Sequence, residues 1–119
     1  MSNILIVEDS IDLTHMYVQL FAAYRHNVTV VRTGKNLEVV IEEFKPDLIL
    51  LDIYLTREDG RDIFKELKQT HSAIPIIMVS ASLNLKEKYI ACGADDYVAK
   101  PFDVKNLMDK ISKWTQVKS

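Results

Sequence analysis

The sequence has a single cysteine, Cys92, so no disulfide can close within the chain, and a reducing compartment suits it best. It also lacks a basic excess: 15 Lys and Arg stand against 17 Asp and Glu, for a net charge of −2. Proteins that hold nucleic acid or anionic membranes electrostatically carry the opposite balance, so small ions and protein partners are the expected ligands. The three histidines, His15, His26 and His71, do not have the spacing of an imidazole metal site. No apolar run approaches the ~20 residues that span a bilayer, and "MSNILIVEDS" has no basic region ahead of its short apolar run. Linkers, repeats and low-complexity tracts are missing too. What remains reads as a soluble, cytoplasmic chain of ordinary globular composition, 48% apolar and 27% charged, whose 119 residues suit one domain.

Short apolar runs alternate with longer segments of helical period. The runs are Ile4 to Val7, Val28 to Val31, Leu48 to Leu51, Ile76 to Val79 and Tyr97 to Ala99. They are rich in Val and Ile and mostly lack polar residues at alternate positions, as expected of strands buried on both faces of a parallel sheet. Between them, one helix face is predicted from Leu13, Met16, Leu20 and Tyr24, a second from Leu37, Val40, Ile41 and Phe44, and a third from Ile63, Phe64 and Leu67. A fourth runs through Leu85, Tyr89, Ala91 and Cys92, and a fifth through Val104, Leu107, Met108, Ile111 and Trp114. "KPD" at 45 to 47 ends the second helix, because a residue before proline is pushed out of the helical region. Asn84 with Glu87 reads as a capping box opening the fourth, and Gly93 as the left-handed residue closing it. Five strand–helix units predict an α/β fold: an open parallel sheet of order 2-1-3-4-5 with helices on both faces.

Such sheets place their site beyond the carboxyl ends of the strands, where the strand order reverses. Here that point lies between the first and third strands, so the residues of interest are Glu8, Asp9 and Ser10 and, past the third run, Asp52. Taken singly each has a plain structural role: Asp9 or Ser10 as a helix cap, Asp52 as a strand end, Asp59-Gly60 as a turn. Together they gather three acids into one cleft, where each pair of carboxylates ~4 Å apart repels by roughly 4 kcal/mol at an effective dielectric near 20. A protonated acid, a lysine from elsewhere or a cation must offset that, and an all-oxygen cluster with room for water suits Mg²⁺. Ser80, at the end of "MVSAS", and Lys100, in "VAKPF", arrive at the same edge. Pro101 permits a cis bond that would turn Lys100 into the cleft.

At this stage the sequence resembles the receiver domain of two-component response regulators (CheY-like, flavodoxin-like fold), from "ILIVEDS" through "DLILLDIYLTREDG" and "PIIMVSAS" to "GADDYVAKPF". The resemblance spans essentially the whole chain, 1–119, read as a single receiver domain with no output domain, either stand-alone or part of a longer regulator. It implies Asp52 as phosphoacceptor, Glu8, Asp9 and Asp52 with the backbone carbonyl of Tyr54 as the Mg²⁺ ligands, and Lys100 as the phosphate-pairing lysine. It further implies Ser80 and Tyr97 as the switch pair, and Tyr54 and Ser82 as residues that tune phosphate lifetime. The domain would act as a phosphoacceptor rather than an enzyme. Its expected partners are a sensor histidine kinase or histidine phosphotransfer protein and a downstream protein, with no direct nucleic acid or membrane contact, as a monomer or phosphorylation-dependent dimer. The readout face would comprise the fourth helix, fifth strand and fifth helix, with Lys88, Tyr89, Tyr97 and Lys105.

Thr56, Arg57 and Glu58 replace the proline and small residue that the family commonly has after the phosphoacceptor, which puts the local backbone and kinase-facing surface apart from the family pattern. Tyr54 is expected to shield the phosphoryl group and slow its hydrolysis. Three other readings compete. A flavin carrier would share the sheet order, but carboxylates in "EDSIDLTH" would repel its phosphate. A haloacid-dehalogenase-like phosphatase wants a second aspartate where Tyr54 stands. A pseudo-receiver would keep the fold without phosphorylation, and such proteins usually lose an acid or the lysine that this chain keeps.

Overall fold

A computed structural model describes residues 2–55, 57–80, 93–100 and 102–116. Strands β1 (Asn3–Val7), β2 (Asn27–Val31), β3 (Leu48–Asp52), β4 (Ile76–Ser80) and β5 (Asp96–Ala99) pair in parallel in the order β2-β1-β3-β4-β5. The helices described are α1 (Ile11–Ala23), α2 (Leu37–Phe44), α3 (Gly60–Thr70) and α4 (Val104–Gln116), the last being the fifth helical segment of the sequence. The segment predicted as the fourth helix, with Asn84, Glu87, Lys88, Tyr89 and Cys92, lies outside the described residues, as do Thr56, Ser82 and Pro101. Gly93 takes the expected left-handed conformation, with φ of 81°.

β3 and β4 are buried along their whole length and β1 along all but its first residue, while β2 and β5 form the partly exposed edges. Burial on both faces explains the uninterrupted apolar runs of the central strands. The sheet separates two cores. On one face Leu5, Val7, Ile49, Leu51, Ile76 and Met78 meet α2 and α3; on the other Ile4, Ile6, Leu48, Leu50, Ile77, Val79 and Val98 meet α1 and α4. Successive strand residues point to opposite faces. The alternation therefore carries Glu8, Asp52 and Lys100, at the ends of β1, β3 and β5, to the α1/α4 side. Ser80 falls on the α2/α3 side, where Tyr97 packs.

Helix ends follow local chemistry. Ser10 caps α1, its hydroxyl accepting from the Leu13 N–H, and Asp59 caps α3 by accepting from the Arg61 N–H. α2 stops at Phe44 as "KPD" predicts, with Lys45 leaving the helical region for φ of 53°. The face predicted for α1 needs correcting. Tyr17 and Phe21 are its buried centre, Leu13, Met16 and Leu20 flank them, and Tyr24 is 49% exposed at the C-cap. The heavier aromatics fill the gap between α1 and α4, and a helix rotated to bury them turns Tyr24 outward.

Candidate functional site

The strand register brings two of the three sequence-predicted acids, Glu8 and Asp52, together. Val7 pairs with Leu51 and Asp52 with Val79, so Glu8 and Asp52 end adjacent strands. Both carboxylates are buried, Glu8 at 2% exposure and Asp52 at 6%. Lys100 is the cation between them. Its ammonium donates to Asp52 Oδ2 at 2.8 Å and Glu8 Oε1 at 3.1 Å, and its backbone N–H donates to the Ser80 carbonyl at 2.8 Å. The remaining oxygens accept backbone hydrogens: Glu8 Oε2 from Ser10 at 3.1 Å and Asp52 Oδ1 from Tyr54 at 2.9 Å.

Burial pushes the Glu8 carboxyl above the ordinary carboxylate range; the Ser10 N–H opposes this, the Asp52 charge adds to it and Lys100 offsets part. Burial alone would lower the Lys100 ammonium. The hydrogen bonds and charges of Asp52 and Glu8 outweigh it, and the lysine is held above its usual range. The lysine supplies the counter-charge that a pair of buried acids requires.

Asp9 is half-buried beside this group. It lines a cleft of about 430 Å³ with Arg32, Thr33, Leu55, Arg57 and Glu58, and its carbonyl accepts from Arg32 Nη2 at 3.5 Å. Ser80 is buried at the end of β4, paired with Ala99. Tyr54 is 51% exposed at the rim, and Tyr97 lies partly buried with the Lys110 ammonium 4.6 Å from its ring centre.

Among the described residues no three His, Cys, Asp or Glu side chains converge as a ready-made metal cage. The carboxylates of Glu8 and Asp52, with Asp9 next in sequence, are oxygen donors of the kind a hard divalent cation such as Mg²⁺ takes.

Two contributors went unread in the sequence. Gly60 opens α3 rather than completing a turn, and a Cβ there would sit 2.3 Å from the Asp52 carbonyl oxygen, so only glycine lets α3 start against the strand that carries Asp52. The Asp-Gly pair signalled a turn, which is the commoner use of that dipeptide. Glu58, noted only as a departure, accepts from the Gly34 N–H at 2.8 Å and ties the loop after β3 to the loop after β2. That contact joins residues 24 apart, and no local pattern signals it.

Comparison with known proteins places the chain in a family. Relatives include the transcriptional regulatory protein KdpE of Staphylococcus aureus, 38% identical over 92% of this chain and 48% of its own length. Another is the transcriptional regulatory protein CpxR of Klebsiella pneumoniae, 34% identical over 93% and 48%. The chain thus spans about half the length of these curated relatives. Among solved structures, the receiver domain of NtrX from Brucella abortus superposes with a TM-score of 0.86 at 26% identity, covering 95% of this chain and 98% of that one. The receiver domain of the Francisella response regulator 1452 shares the fold, with a TM-score of 0.88 at 24% identity over the whole of both chains. Residues 4–112 match the family model of the response regulator receiver domain, and the chain belongs to that family.

Proposed function

We propose that Asp52 is a phosphoacceptor, charged from a sensor histidine kinase or histidine phosphotransfer protein in the presence of Mg²⁺. The observation that carries this reading is the Asp52 carboxylate, buried at the end of β3 with the Lys100 ammonium 2.8 Å from one oxygen. In the step, a carboxylate oxygen of Asp52 forms the new bond to phosphorus while the donor's bond to phosphorus breaks, and the leaving group departs with that electron pair. Glu8, Asp9, Asp52 and the Tyr54 carbonyl would hold the metal, which when bound neutralises charge on the phosphoryl oxygens. Lys100 pairs with the added phosphoryl charge, and the burial of its neighbours keeps water from screening that pair.

The response to phosphorylation is carried by Ser80 and Tyr97. A charge-assisted hydrogen bond contributes about 1.5 to 3 kcal/mol, and moving a two-state element from 1:99 to 99:1 takes about 5.5 kcal/mol. Two new bonds, from Lys100 and Ser80, reach that only at their upper range, so the shift is completed by a partner on the face of β5 and α4. With Tyr54 at the rim, the aspartyl phosphate is expected to be long-lived. Incubation with acetyl phosphate and Mg²⁺, followed by intact mass, tests the reading: one added phosphate on the wild type and none on Asp52→Asn is expected. Absence on both, with metal present, would move the chain to a phosphorylation-independent binding module.

A further inference from the structure

Tyr17 is 1% exposed, yet its hydroxyl forms no hydrogen bond to any described residue. Every fully enclosed polar side-chain atom among the described residues has a partner. The hydroxyl is therefore not sealed in, and the trace of exposure that Tyr17 retains falls on that oxygen. Long helical side chains lean toward the helix N-terminus, which for α1 lies at the carboxyl edge of the sheet, directly after Glu8 to Ser10. Tyr17 packs on the α1/α4 side, the side to which alternation brings Glu8, Asp52 and Lys100. The charges of Glu8 and Asp52 both reach the hydroxyl and, with burial, hold its proton on well past the ordinary tyrosine range. Tyr17 thus keeps its O–H, on the side of the sheet that carries the acids. The ring meanwhile stacks on Phe102, two residues beyond Lys100, with centres 5.9 Å apart and planes inclined at 14°.

We propose that Tyr17 is a positioning residue of the acidic pocket: its hydroxyl holds a water against Glu8, and its ring, through Phe102, steadies the loop that carries Lys100. A carboxylate accepts about four hydrogen bonds and the Glu8 oxygens each receive one from the protein, so Glu8 has capacity for such a water. A hydroxyl donates and accepts at once, which lets it anchor water on a carboxylate or in the shell of a hydrated cation. The metal-dependent part of this inference rests on the function proposed above.

The test compares the full chain with Tyr17→Phe and Tyr17→Leu by four measurements: the Glu8 side-chain carboxyl resonance in metal-free protein, Mg²⁺ affinity by calorimetry, thermal unfolding, and amide exchange at Phe102. Tyr17→Phe keeps the stack and removes only the hydroxyl. It is expected to move the Glu8 resonance and weaken Mg²⁺ binding about tenfold, the effect of losing an outer-shell partner, with the melting temperature held. Tyr17→Leu is expected in addition to speed amide exchange at Phe102. An unmoved Glu8 resonance with unchanged Mg²⁺ affinity in Tyr17→Phe overturns the proposal, and so does weaker binding accompanied by a general fall in melting temperature. If the wild type takes up no Mg²⁺, the reading of the preceding section fails, and the metal-free resonance alone decides this one. Should Tyr17→Leu not fold, Tyr17→Phe carries the decision.

Discussion

Replacing Lys100 with methionine removes the ammonium from between two buried carboxylates while keeping an apolar stem of similar length. The two oxygens it bridges are no more than about 6 Å apart, and at an effective dielectric near 20 a pair ~5 Å apart repels by about 3 kcal/mol. Two charge-assisted hydrogen bonds go with it. The protein has an escape: Glu8, whose carboxyl burial already raises, can take a proton. That route limits the damage to the cost of protonating a carboxyl of ordinary value 4.5, about 4 kcal/mol at about pH 7.5 and about 1.4 kcal/mol less for each unit of acidification. The sign follows from proton counting: the folded variant binds one proton more than its unfolded chain, so its stability falls as pH rises between those limits. Urea unfolding of the wild type and Lys100→Met at several pH values from about 5 to 8 would read the difference directly. The expected gap widens with pH at a slope of about one proton, closes when Asp52→Asn is added, and narrows with millimolar Mg²⁺. A gap that stays constant across this range would refute the reasoning, because it would assign the loss to packing rather than to unpaired charge.

Gly60→Ala is expected to destabilise by about 2 to 3 kcal/mol, since its new Cβ meets backbone at Asp52 and Ile53, whereas Gly34→Ala meets only the side-chain ends of Glu58 and Ile63 and should cost less than half as much; equal effects by calorimetry would count against the close approach. Asp96 is expected to govern the acid side of the stability profile. Burial acts to raise its carboxyl, but hydrogen bonds from Trp114, Lys110 and the Tyr97 N–H outweigh this and depress it, so its contribution is present above pH ~4 and lost as pH falls through the depressed value. Asp96→Asn should flatten that limb by on the order of 1 kcal/mol and alter the emission of Trp114, whose indole N–H donates to Asp96 at 2.9 Å. An unchanged acid limb would place the stabilisation elsewhere.

The elements most legible in the sequence were those whose cause is local. Buried parallel strands show as unbroken apolar runs, and all five appeared within a residue of their observed ends. The second and third helices showed their buried faces because Leu37 and Ile41, and Ile63, Phe64 and Leu67, recur at the helical period. Once the strands are known, the rule that parallel sheets open their site at the carboxyl edge is enough to bring Glu8 and Asp52 together. α1 was harder, because the periodicity of Leu13, Met16 and Leu20 competes with that of Tyr17 and Phe21 and only the space beside α4 decides between them.

The sequence by itself, then, determined the sheet, its order and the acids at its edge, since each follows from residues near one another in the chain or from a rule about strand ends. The tertiary structure alone decided what those acids touch. Lys100 reaches Glu8 across 92 positions and Asp52 across 48, and Glu58 reaches Gly34 across 24. It also decided that Tyr17 packs its ring on Phe102, on the acids' side of the sheet, and that Gly60 lies against Asp52. Such pairings depend on how helices seat on a twisted sheet, and that seating is settled by packing among distant segments, which no window of neighbouring residues contains.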